Sequence, residues 1–232
     1  MTTLQGRQHA LRRSEETTDH QWLDSLLQDC SGNRIPAAKE GFRTRVAMRA
    51  EQLHAAEQLV RRRYAWRGYQ VSAAQIAESA EIERRRVTLL AENRGKLVGT
   101  VTVQPDSPQG LLAELTYGAE IQGLRRVGHR LGEVVKLAVE ESGQSRAALD
   151  TLVHSAYLVS RVAYGRSHVV IEVNPRHVRF YEKAIGFVVA AAERVCARVG
   201  APSVLMELDL EQFGCRLHAA ASRPKPVLEV VA

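Results

Sequence analysis

From residue 46 the apolar positions Val46, Ala50, Leu53, Ala56, Val60 and Tyr64 recur every three or four residues. That is the spacing of an amphipathic helix with one face on a core, so a helix is expected over 46–64. The Ala-rich segment 72–79 predicts a second, short helix. Residues 87–91 and 97–103 are β-branched runs flanking Glu92-Asn93-Arg94-Gly95-Lys96, which reads as a β-hairpin. Pro105 and Pro108 break the pattern, 111–117 reads as a helical turn ending at Gly118, and 131–139 returns to strand composition. Helical spacing resumes with Leu149, Leu152, Val153, Ala156, Val159 and Ala163 and stops at Gly165. The apolar strand 168–173 then meets Asn174-Pro175, a cap residue followed by Pro at the first helical position. The helix it opens ends at Gly186, and 187–191 and 203–210 are two further strands. Residues 1–41 are polar and show no sustained period, so they are expected to form a loose arm. The segment 211–232, with Pro224 and Pro226, is expected to be a tail. The organisation expected is thus an arm over 1–41, one domain over 42–210 and a tail over 211–232.

The order helix, helix, hairpin, strand, helix, strand, helix, strand, strand implies an α/β fold. Its mixed, mostly antiparallel sheet is flanked by helices and takes in one βαβ crossover. Few folds have this order. It resembles the acyltransferase fold of the GCN5-related N-acetyltransferases, whose central strands splay apart to admit a pantetheine arm. The 232 residues, 45% hydrophobic and 25% charged, are enough for a core without disulfides or metals, and they exclude a disordered, collagenous or coiled-coil chain.

No apolar run reaches the ~18 to 20 residues of a membrane helix, and the first residues lack the apolar stretch of a signal peptide. A cytoplasmic location without integral membrane contact is expected. Cys30, Cys196 and Cys215 are far apart and follow no zinc or disulfide spacing, so they are expected to be reduced bystanders. The net charge of +6 favours an anionic partner. Arg43, Arg45, Arg49, Arg61, Arg62, Arg63 and Arg67 share a stretch whose two acids are Glu51 and Glu57. That stretch is either a docking face or a solvated helix whose arginine stems cover apolar neighbours.

Two motifs carry a closer resemblance. Gly132-Glu133-Val134-Val135-Lys136-Leu137-Ala138-Val139, and Ile171-Glu172-Val173-Asn174-Pro175-Arg176-His177-Val178-Arg179-Phe180-Tyr181 continuing to Gly186-Phe187, resemble signature segments of the N-acyl amino acid synthases of the FeeM type. These enzymes are cousins of the acyl-homoserine-lactone synthases. Arg61-Arg62-Arg63-Tyr64 through Gly68-Tyr69 resembles the basic-aromatic helix end of the same families. The resemblance implies transfer of a long-chain fatty acyl group from acyl carrier protein to the amine of an amino acid. No metal and no permanently bound cofactor are implied. The donor would be the acyl-phosphopantetheine of the carrier, or acyl-CoA.

Such a reaction needs the ammonium deprotonated, charge on the thioester oxygen stabilised and the leaving thiolate protonated. Glu133 resembles the glutamate that precedes a basic residue in the homoserine-lactone synthases and is the expected base. Lys136 stands where those synthases have arginine, and the alternative for this pair is an ion pair at the edge of the sheet. Tyr181 resembles the tyrosine that protonates leaving thiolates; its alternative is aromatic packing. Arg130, Lys136, Asn174 and His177 are expected around the amino acid substrate, although Asn174 also reads as a helix cap. His177 and Arg179 lie two apart on a helix, so at most one faces a site. His129 and His154 read as structural or surface residues.

Leu137, Val139, Ser145 and Arg146 are expected at the acyl donor, and Arg61, Arg62 and Arg63 at the carrier protein. The loop Glu140-Glu141-Ser142-Gly143-Gln144-Ser145-Arg146 has one Gly and two acids. That composition disfavours the tight diphosphate grip of coenzyme A transferases and suits a carrier-bound phosphate. Ser145 is also a plausible N-cap. An acetyl- or acyl-CoA N-acyltransferase is the nearest alternative. A remoter one is a non-enzymatic DNA-binding protein, because 71–78 followed by Ile82 and Arg84-Arg85-Arg86 resembles half a helix-turn-helix. The acyltransferase reading carries no nucleic-acid partner.

Overall fold

The computed structural model describes residues 20–31, 41–65, 85–142 and 145–221. The short helix expected over 72–79, the half helix-turn-helix over 71–78 and the Gly68-Tyr69 end of the basic-aromatic segment lie outside them. One seven-stranded sheet runs β1 (Phe42–Val46), β2 (Val87–Asn93), β3 (Lys96–Pro105), β4 (Leu131–Val139), β5 (His168–Val173), β7 (Pro202–Asp209), β6 (Val188–Val195) across its width. β4 and β5 are parallel and the other pairs antiparallel, as a single crossover in an antiparallel sheet requires. The β2–β3 hairpin turns at Arg94 and Gly95 with φ of 49° and 79°, the left-handed pair of a type I′ turn, which matches strand twist.

Among the described residues six helical stretches cover the sheet. On one face, α1 (His20–Ser31) and α4 (Ser145–Tyr157) close a core of Leu23, Leu27, Val87, Leu89, Val101, Val103 and Leu152. α4 continues as a π-turn to Ala163. On the same face α5, the mixed helix over 175–185, and α6 (Leu210–Ala221) pack on Val169, Ile171 and Met206 through Ile185, Leu210 and Phe213. The opposite face carries α2 (Ala50–Ala65), through Ala56, Leu59 and Val60. It also carries α3 (Glu114–Arg126), through Tyr117 and Ile121 against Leu131, Val170 and Leu205.

Four sequence expectations are corrected. The helix expected from residue 46 begins at Ala50: Val46 ends β1, fully buried beside Leu23 and Leu27, and Leu53 is exposed. A helix stands in the expected loose arm, because Leu23 and Leu27, one turn apart, bury completely and Asp24 Oδ1 accepts the Val46 N–H at 2.9 Å. Gly118 does not end a helix. α3 bends at Tyr117 (φ −127°) and runs on to Arg126. The ~1 kcal/mol propensity cost of a helical Gly is outweighed by burial of Tyr117 and Ile121 and by Arg125, which binds Asp106 and Glu114. The expected tail opens with α6, capped by Asp209 Oδ1, which accepts the N–H groups of Glu211 and Gln212.

Candidate active site

β4 and β5 pair only over Leu131↔His168, Gly132↔Val169 and Glu133↔Val170. Beyond Glu133 the strands fork. A bulge in the β3–β4 register falls at the same place, where Lys136 takes φ +54°, uncommon for a residue with a Cβ. A cavity of about 270 Å³ occupies the fork. Side chains alternate across a strand, so its walls come from both faces of the sheet. On the α4 face they are apolar: Val153, Ala156, Tyr157, Leu210 and Phe213, with Tyr181 and Phe187. On the α3 face Leu112 and Val199 share the lining with a charged and polar group, Glu172, Arg198 and Ser203 beside Cys196.

Glu133 stands at the apex of the fork, fully buried and just behind the cavity wall. Its carboxylate accepts the N–H groups of Leu112 (2.6 Å) and Ala113 (3.1 Å), where α3 begins, so the alternative of a Glu133–Lys136 ion pair is not what the strand builds. Burial pushes the Glu133 carboxyl up to about 7, against the opposing charges of Arg198 and Arg86 and the amide bonds. Arg86 is itself buried, donates through Nε to Gln104 Oε1 at 2.9 Å, and is lowered by desolvation to about 10. It is therefore core and not part of a DNA-facing surface.

Lys136, Leu137, Asn174, His177 and Tyr181 all line the cavity, as does Arg61 at the α2 side; Arg179 does not. Tyr181 is set edge-to-face against Phe180 and Phe187 with centroids 5.4 and 5.7 Å away. Asn174 caps α5: Oδ1 accepts from Arg176 N and Nε, and Nδ2 donates to the Pro202 carbonyl at 3.2 Å. Arg130, Val139, Ser145, Arg146, Arg62 and Arg63 lie outside the lining. Arg130 is exposed at the far end of β4, with its backbone N–H on Ser167 Oγ. The Ser145 hydroxyl takes the Ser142 N–H and donates into the loop, and Arg146 pairs with Asp150.

Two acids expected to repel a diphosphate are held from across the sheet. Arg62 reaches Glu140 at 2.8 Å and Arg63 reaches Glu141 at 3.3 Å, while Arg61 pairs with Glu57 on its own helix. The arginine run is therefore matched by acids, one of them a turn back on its own helix and two distant in sequence. His129 stacks on His168 at 3.7 Å and His154 meets Tyr157 edge-on, both structural placements.

Glu172, Arg198, Ser203 and Cys196 were absent from the expected site. Glu172 Oε2 accepts from Arg198 Nη2 at 2.7 Å and Oε1 from Ser203 Oγ at 2.8 Å. Burial pushes the Glu172 carboxyl up, but hydrogen bonds from Arg198, Cys196 and Ser203 and the Arg198 charge hold it below its ordinary value. Burial and Glu172 together push the Cys196 thiol up, away from nucleophilic use. Glu172 gave the same signal as Glu133, a carboxylate inside an apolar strand. Arg198 gave none, because it enters from the β6–β7 turn. Among the described residues no cluster of His, Cys, Asp and Glu could hold a metal ion.

The same fold recurs in solved structures. FeeM, an N-acyl amino acid synthase from uncultured soil microbes, superposes with a TM-score of 0.64 at 25% identity, over 74% of this chain and 92% of its own. The spermidine/spermine N-acetyltransferase SpeG of Vibrio cholerae (TM-score 0.51, 16% identity, 77% and 99%) and ElaA of Escherichia coli (0.51, 12%, 72% and 98%) share the fold. No curated protein matches the sequence. The family model of the N-acyl amino acid synthase FeeM matches residues 55–209, which run from within α2 to the end of β7 and contain the whole fork. With its geometry that of an acyltransferase, the chain belongs to the FeeM family of N-acyl amino acid synthases and is an N-acyltransferase.

Proposed function

We propose that the protein moves a long-chain fatty acyl group from the phosphopantetheine thioester of an acyl carrier protein to the amine of an amino acid. The observation that carries this reading is the cavity at the β4–β5 fork, apolar toward α4 and α6 and charged toward α3 and the β6–β7 turn. A fatty chain and an amino acid head group need those two environments on either side of one reacting carbon. Glu133, its carboxyl near 7, takes the proton of the attacking ammonium through one intervening water, since it stands behind the wall. The amine nitrogen forms its bond to the thioester carbon, and the opened edge of β4 offers backbone N–H groups to the oxygen as charge develops. The carbon–sulfur bond then breaks, the Tyr181 hydroxyl protonates the thiolate, and the nitrogen releases its second proton as the amide forms, which restores the Tyr181 hydroxyl. Lys136, Asn174 and His177 border the acceptor, and Leu137 the donor.

The donor choice rests on Arg61, which lines the cavity with an exposed guanidinium that an acidic carrier would meet; Ser145 and Arg146 lie outside the lining and do not bear on it. Neutralisation of Glu140 and Glu141 by Arg62 and Arg63 favours a second reading, acyl-CoA as donor. Comparing kcat/KM for carrier-bound and CoA-bound forms of one acyl chain decides between them, with products read by mass spectrometry. The expected result is a preference for the carrier and a long-chain N-acyl amino acid as product. Equal or better use of acyl-CoA refutes the carrier, and an acetylated product alone refutes the long chain.

A further inference from the structure

The charged end of the cavity holds a donor group that the proposed chemistry does not use. Arg198 comes from the turn between β6 and β7 and lines the cavity. Its side chain is 24% exposed, against 2% for its partner Glu172. Of its five N–H donors it spends one within hydrogen-bond distance, on Glu172 Oε2 at 2.7 Å. Its Nε is buried with no acceptor among the described residues. A guanidinium is a planar fork matched to a carboxylate, and an arginine three-quarters buried with most of its donors unspent is poorly satisfied. Glu172 does not complete it: the Arg198 bond goes to Oε2, while Oε1 accepts from Ser203 Oγ at 2.8 Å.

The surrounding charge points the same way. Glu133 and Glu172 stand against Arg198 and Arg86. With Glu133 partly protonated near neutrality, this end of the cavity carries an excess of positive charge. An anion that brought its own acceptors would lower that excess and occupy the unspent donors.

We propose that Arg198 binds the α-carboxylate of the acceptor and thereby restricts acceptors to amino acids over uncharged amines. This inference rests on the N-acyl amino acid synthase reading. Glu172 keeps the guanidinium in place, and Ser203 in turn fixes Glu172, so the anchor is set before the acceptor arrives.

The test uses the full-length enzyme, a dodecanoyl carrier-protein thioester and three acceptors: the best of the twenty amino acids, its carboxamide and its decarboxylated amine. Wild type should prefer the amino acid over the carboxamide by roughly 10²-fold or more in kcat/KM, as a site built around a polar group rejects analogues lacking it. In Arg198→Ala the preference should collapse to within about threefold of unity, mostly through a higher KM for the amino acid. Arg198→Lys keeps a cation beside Glu172 but loses the fork, and it should lose most of the preference while folding normally. The preference is a ratio measured on one preparation, so it does not depend on the fraction folded. A preference that stays at its wild-type value in both variants overturns the proposal and leaves Arg198 as the counter-ion of Glu172. A wild type that acylates carboxamide or amine as well as the amino acid, or acylates none of them, overturns the acceptor reading beneath it.

Discussion

Glu133 accepts two backbone N–H groups and lies in the fields of Arg198 and Arg86, yet desolvation outweighs all of these and its carboxyl titrates near 7. If it is the proton acceptor, kcat rises with pH through about 7, and Glu133→Gln lowers kcat by roughly 10² to 10⁴ and erases that limb of the profile. Stability has the opposite sign. The folded pKa lies above the ordinary value of 4.5, so between 4.5 and 7 the unfolded chain has released a proton that the folded protein keeps. Folding stability therefore falls as pH rises across that window, and Glu133→Gln should flatten the fall. Thermal melts of both proteins at several pH values check the slope. A variant that melts early with unchanged activity per folded molecule would make Glu133 only the partner of the α3 N-terminus.

The helix α1 shows how an element with weak local signal is made by its neighbours. Its apolar stripe is two leucines wide, Leu23 and Leu27, and their burial depends on β1, β2 and α4 being in place. Leu27→Ala should cost about 2 to 5 kcal/mol in a denaturant titration, the usual range for a cavity in a packed core. A change within about 0.5 kcal/mol would mean that α1 is peripheral, as a surface substitution usually is. α4 and its π-turn, which together end before Gly165, were by contrast readable from spacing alone, since six apolar positions kept one face over four turns.

Charge on the molecule as a whole differs from charge along the chain. Seven arginines over 43–67 look like a strongly basic face, but Arg45 pairs with Glu92 and the run Arg61, Arg62, Arg63 with Glu57, Glu140 and Glu141. Attraction to the acidic carrier protein proposed as donor would be correspondingly gentler, and it would fade as the Debye length shortens from ~10 Å at 0.1 M salt to ~3 Å at 1 M. Arg61→Glu, at the cavity mouth, should raise KM for the carrier-bound donor several-fold and flatten its salt dependence, while KM for a short pantetheine thioester stays put. Equal shifts for both donors would remove this surface from the mechanism.

The fold class was legible in the sequence because period and punctuation are local. The hairpin at Arg94-Gly95, strands β4 and β5 and the Asn174 cap each need only their immediate neighbours. Glu133 was legible for a related reason: a carboxylate in an apolar strand signals burial wherever the strand lies. The cluster of Glu133, Glu172, Arg86 and Arg198 was not, since its members come from two strands, the residue just before β2 and the β6–β7 turn. They meet only because β4 and β5 separate after Glu133 and the β6–β7 turn folds toward the gap. The pairing of Arg62 and Arg63 with Glu140 and Glu141 likewise spans 78 residues, from α2 to the segment after β4. Which charges face one another depends on packing across the sheet, and no period along the chain records that.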